Sequence, residues 1–277
     1  MAGIIIISLK ESFQLIWKKK IFFLLLFILQ IIFLSAFFAL SGNYIPKMLQ
    51  HAKAMSEYLS TQNLDEMAMT QNLLEQKDVL GEDPLAISRN FDGVVRNFRI
   101  YFIYSFLLML IFISVSWGLT NRMAKRHSGN FLKIILIAFI LAAFYLALVF
   151  SFFYSLLNIT FLDVASQGTG FLSKYIPFVI LSIVLAYFMF ISLSLAGWKS
   201  YSQLARNTLE IGIKKAHYML AAYFINIVLF VFLIFMVSYF IDRLFVVSIL
   251  SLLFFIASFV FARIFVVNVV NKLEEMI

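Results

Sequence analysis

Few residues in this sequence have the chemistry and the placement to act on anything. Arg263 is the one full charge inside a long hydrophobic run, and a charge at membrane depth is a functional candidate by default. Counting from residue 244 puts it near the end of its run, where an arginine extends its head into the headgroups. Asn226 lies well inside another run and is the second candidate, while Gln30, Asn268 and Asn271 read as interhelical hydrogen-bonding groups. His51, His127 and His217 stand apart in sequence and form no spaced ligand set. Glu82 and Asp83 precede Pro84 at a turn and read as solvated.

The absence of cysteine excludes thiolate catalysis, disulfides and Cys-ligated metals from this sequence. There is no phosphate-binding glycine loop, dinucleotide fingerprint or nucleophile elbow. Membrane-embedded enzymes and proton-coupled carriers work through carboxylates or histidines at depth, and no Asp, Glu or His falls within the apolar runs. The expectation is a protein that is not an enzyme, with no cofactor and no metal.

The elements that must position these residues are set by composition. Hydrophobic residues make up 63% of the 277-residue chain and charged residues 13%, against about 45–50% and 25% in soluble domains. A hydrocarbon core about 30 Å thick takes about 20 apolar residues of helix. Six runs qualify: 21–40, 100–119, 134–157, 176–197, 218–240 and 244–265. The predicted class is all-α, a polytopic membrane protein with six transmembrane helices arranged as three hairpins. The first run, at 20 residues, is too long for a signal peptide, whose apolar part is about 7–15.

Placing the N-terminus inside puts 14 of the 22 basic residues and four of the 14 acidic ones on one face. Each short inner segment is then basic, which predicts both termini cytoplasmic in a plasma membrane, of prokaryotic type given the compact chain. The expected partners are the bilayer, anionic headgroups at the inner face, and another membrane or soluble protein. Nucleic acid is not expected, because the positive charge is spent along the membrane surface.

Residues 1–20 predict an amphipathic cytoplasmic helix, with Ser8 and Glu11 as a capping box and Leu9, Phe13, Ile16 and Trp17 as its apolar stripe. The long outer segment, 43–99, carries eight acidic and six basic residues and predicts a small helical cap of two or three elements, one of them opening at Pro84. Between the fourth and fifth runs, Tyr201, Leu204, Ala205, Thr208, Ile211 and Gly212 fall on one face of a helix. Arg206, Glu210, Lys214 and Lys215 make that segment a candidate docking site for a soluble partner.

Ser114, Ser116 and Gly118, with Ser192, Ser194, Ala196 and Gly197, permit close helix approach. The leading functional expectation is a non-catalytic scaffold, assembly factor or subunit of a membrane complex. One alternative is the transmembrane subunit of a transporter energised by a separate ATPase. A second is a passive channel or lipid-handling protein lined by residues such as Ser114, Tyr145, Ser151, Tyr187, Ser192 and Asn226.

Overall fold

The computed structural model describes residues 2–61, 85–124, 131–156, 176–196, 201–240 and 245–276. These are helical throughout, with no strand among the described residues. The helices are α1 (Ala2–Lys18), α2 (Lys20–Thr61), α3 (Ala86–Ala124), α4 (Phe131–Leu156), α5 (Ile176–Leu195), α6 (Tyr201–Leu209), a π-helical turn π1 (Glu210–Lys214), α7 (Ala216–Phe240) and α8 (Phe245–Glu274). Six of them, α2, α3, α4, α5, α7 and α8, are long and apolar enough to cross a membrane, and each corresponds to one of the six predicted runs over its described residues. Helix is the form that leaves no backbone N–H or C=O unpaired in lipid.

Several boundaries differ from expectation. Nothing breaks α2 after the first apolar run: it continues for 42 residues through Gly42 and Pro46. Pro46 removes the N–H that would bond the carbonyl of residue 42 and its ring crowds that carbonyl, a local disturbance that does not end the helix here. Met48, Leu49, Ala52 and Met55, within the outer segment 43–99 expected to form the cap, are therefore part of α2. Likewise α3 runs unbroken from Ala86 to Ala124, so Ile87, Phe91 and Phe98 are continuous with the second apolar run. The rest of the expected cap, including Glu82, Asp83 and Pro84, lies outside the described residues, as do His127 and Gly197.

The chain divides into two compact units. The first comprises residues 1–35, 108–149 and 178–277. Its core is α8, which is buried at every position from Ala262 to Val270 and packs along α7 and α1. A helix apolar all round belongs in the centre of such a bundle. Trp117, Met189, Leu193, Leu204, Ile211 and Met219 close around it.

The second unit comprises residues 36–107 and 150–177. In it α2 and α3 are joined by aromatic side chains: Tyr44 stands 6.4 Å from Tyr101 and 6.3 Å from Tyr104, and the Ser41 and Tyr101 hydroxyls are 3.2 Å apart. Further along, the His51 imidazole rests on Gly93, where a Cβ would come within 2.7 Å of the ring. Asn90 donates through Nδ2 to the Ala86 carbonyl, which fixes its amide, so His51 Nδ1 donates to Asn90 Oδ1 at 3.0 Å.

Candidate functional site

Two constellations in the first unit combine chemistry with placement. The first is a seam that α8 makes with α1 and α2. Arg263 is 9% exposed, and its Nη2 donates to Oε1 of Gln30 on α2 at 3.0 Å. Its guanidinium carbon stands 5.3 Å from the centre of the Phe112 ring, within cation–π reach. The side chain expected to extend into the headgroups is instead enclosed among α2, α3 and α8. The reason is the polar group opposite: Gln30, itself buried, would otherwise lie unpaired in an apolar wall.

Five residues further along α8, Asn268 donates through Nδ2 to the Ser12 hydroxyl at 2.8 Å, and Ser12 donates in turn to the Ser8 carbonyl at 2.7 Å. Lys272, one turn on again, pairs with Glu11 at 3.1 Å. These bonds displace the expected capping box. Because α1 begins at Ala2, Ser8 is an interior residue and Glu11 is free to meet Lys272. The buried stripe of α1 is Ile5, Ser8 and Ser12, whereas Phe13 and Trp17, from the apolar stripe expected of an amphipathic helix, are 61% and 74% exposed. Trp17 carries the Lys20 ammonium over its ring at 4.4 Å, a pairing suited to a membrane–water boundary.

The second constellation is the α6–π1 segment. Leu204, Thr208, Ile211 and Gly212 are buried as the helical spacing predicts, while Ala205 faces out. A side chain from α5 fixes the segment: the Tyr187 hydroxyl donates to the Gly212 carbonyl at 2.9 Å. That bond occupies a carbonyl inside the widened π turn, and a Cβ at Gly212 would press into the Phe188 ring and force it to shift. The outward face then presents Arg206, Leu209, Ile213 and Lys214, all exposed.

Lys214 donates to Glu210 at 2.8 Å, and this bond holds the Glu210 carboxyl below the usual carboxylate range, with Arg206 and Lys215 adding to it. Lys215 closes the turn through its own N–H to the Ile211 carbonyl at 3.2 Å. The charged residues singled out in this segment are thus brought together on one short element.

Asn226 is buried on α7, in the first unit like Arg263, and no hydrogen bond joins the two. Its Oδ1 accepts no hydrogen bond, and neither does the hydroxyl of Tyr223 one turn earlier on α7. Tyr223 packs edge-on against Tyr187 at 5.7 Å, so α7 is coupled through its rings to the residue that holds α6–π1. By sequence Tyr187 reads as a pore-lining residue and Glu11 as half of a capping box, while Tyr223, Ser12 and Lys272 show only a hydroxyl or charge in otherwise apolar helices.

The hydroxyls on α3 and α5 behave differently. Ser114 donates to Leu110, Thr120 to Ser116, Ser192 to Met189 and Ser194 to Phe190, each in its own helix. Asn121 crosses between the two, donating to the Leu193 carbonyl at 2.7 Å. No group of three histidines and carboxylates close enough to hold a metal occurs among the described residues. Comparison with protein-family models, with curated proteins and with solved structures finds no match to this chain.

Proposed function

We propose that this chain is a non-catalytic membrane protein that works through contacts, as a scaffold or subunit of a membrane complex. Its partner binds the α6–π1 segment. The observation that carries the reading is the way this segment is held: one face is packed into the core and pinned by Tyr187 on Gly212, and the other shows Leu209 at 54% and Ile213 at 66% exposure beside Arg206 and Lys214. Apolar anchors ringed by charge on a pre-ordered helix are what a protein partner uses, since little ordering entropy remains to be lost on binding.

The basic segments support an orientation in which both termini, and α6–π1 with them, face the cytoplasm of a plasma membrane, prokaryotic in type. The same face attracts anionic headgroups, by about 1 kcal/mol per basic residue near the surface. The partner is accordingly a cytoplasmic protein or the cytoplasmic part of another membrane protein.

A second reading rests on the Tyr187–Gly212 bond, which ties the outward segment to a membrane-crossing helix. In that reading the partner is an ATPase, and the chain is the transmembrane subunit of a transporter that receives its motion through this link. Extraction of the tagged protein into nanodiscs, with stoichiometric partners identified from wild type and from Leu209→Asp/Ile213→Asp, tests both. A partner retained by wild type and lost from the variant supports docking here, and its identity decides between scaffold and transporter. If wild type and variant retain the same proteins, the reading fails.

A further inference from the structure

Among the described residues Arg263 is the one charged side chain that is buried. It takes part in no ion pair there. Its Nη2 is used on Gln30, while its Nη1 is enclosed and has no acceptor. Gln30 is 3% exposed and has committed its acceptor oxygen to Nη2. What remains on that amide is its nitrogen, which carries two N–H donors on the same planar group. The flanking positions Leu26, Val260 and Ile264 are apolar and fully buried, and the Phe112 ring covers the guanidinium face. The constellation therefore holds a full positive charge and spare donors, with no acceptor left to meet them.

A buried cation in this condition is costly unless something brings negative charge and acceptor atoms to it. We propose that Arg263 and Gln30 form an anion site whose ligand is a phosphate oxyanion, either the phosphate of a membrane lipid or inorganic phosphate. A guanidinium and a neighbouring amide N–H₂ offer parallel donors to two oxygens of one phosphate, an arrangement that arginine favours over lysine. Arginine within a span also draws lipid phosphate towards itself by local thinning of the bilayer. Because Nη1 is enclosed, binding separates α2 and α8 locally, and the bound anion then bridges them.

The test is the thermal unfolding midpoint of the full chain in delipidated detergent micelles. Phosphatidylglycerol, phosphatidylcholine or inorganic phosphate is added at constant ionic strength. A saturable upward shift with phosphatidylglycerol is expected for wild type, and its loss in Arg263→Met. Arg263→Met/Gln30→Met removes the donors together and leaves neither group unpaired, so it carries the test should the single variant not fold. It is expected to lose the shift as well. Lys18→Gln/Lys20→Gln, which alters exposed cations only, is expected to keep it. Inorganic phosphate reproducing the shift makes a free anion the ligand, and a shift from phosphatidylglycerol alone makes it a lipid. The proposal is overturned if wild type shows no shift with either, if both methionine variants shift as wild type does, or if the shift disappears in the lysine variant instead.

Discussion

The ends of α3 and α5 and the seam that α8 makes with α1 and α2 both hold polar side chains in apolar surroundings, and they dispose of them in opposite ways. On α3 and α5 four hydroxyls turn back to carbonyls of their own helix. Such a group is satisfied wherever the helix goes, so it contributes small volume and close approach without naming a neighbour. Along the seam, a guanidinium, an amide and an ammonium reach across to Gln30, Ser12 and Glu11. Each of these bonds forms only in one register against one neighbouring helix. Equal polarity by composition therefore serves packing in one region and specification of neighbours in the other.

The largest effect comes from leaving the buried charge alone. Gln30→Leu is expected to cost about 3–5 kcal/mol, because it strips the guanidinium of its one acceptor. Arg263→Met/Gln30→Leu, with both partners apolar, is expected within about 1 kcal/mol of wild type. Chemical unfolding in mixed micelles reads both, and additive single and double effects would mean that the two residues are not coupled.

Gly212→Val comes next. It forces the Phe188 ring to move and is expected to cost about 1–3 kcal/mol, with faster proteolysis confined to residues 201–214. If the segment stays protected, Tyr187 and Gly212 do not hold it.

Ser114→Ala and Ser192→Ala are expected to change stability by about 0.5 kcal/mol or less, since each removes a bond internal to one helix. A loss as large as that of Gln30→Leu would erase the distinction between the two regions.

The smallest effect is electrostatic. The Glu210 carboxyl is held low by Lys214, so the pair is fully formed above the ordinary glutamate range and is lost only as pH falls through the lowered value. Lys214→Met is expected to return the Glu210 titration upward, as followed by carboxyl ¹³C chemical shift. An unchanged titration would show that the hydrogen bond does not persist in solution.

The six membrane-crossing helices were legible because lipid permits almost nothing else for runs of such length. The buried face of α6–π1 was legible for a related reason: Leu204, Thr208 and Ile211 alternate with charge at helical spacing beside water. The packing face of α1 was not. There the stripe of large apolar residues contains Phe13 and Trp17, which stay exposed, while serines face the bundle. Next to a bilayer the most apolar side of a helix has no reason to turn inward, and small polar residues allow the closer contact.

Arg263 shows the other limit. Its place along α8, about 27 Å from Phe245 by helical rise, was readable by counting. The direction of its side chain was not, because that depends on Gln30, 233 residues away in sequence. The helical cap was expected from the length and amphipathic spacing of 43–99, and the continuation of α2 and α3 into that segment, paired through Tyr44, Tyr101 and His51, depends on contacts between distant residues.

The most direct test of the central claim places a photo-crosslinking amino acid at Leu209 or Ile213 in the native membrane, with Phe235 on α7 as the reference. Leu209 and Ile213 are expected to give one discrete protein adduct each, of the same species, while Phe235, exposed on a membrane-crossing helix, gives lipid adducts. Lipid adducts alone at all three positions would contradict a partner-binding face on α6–π1.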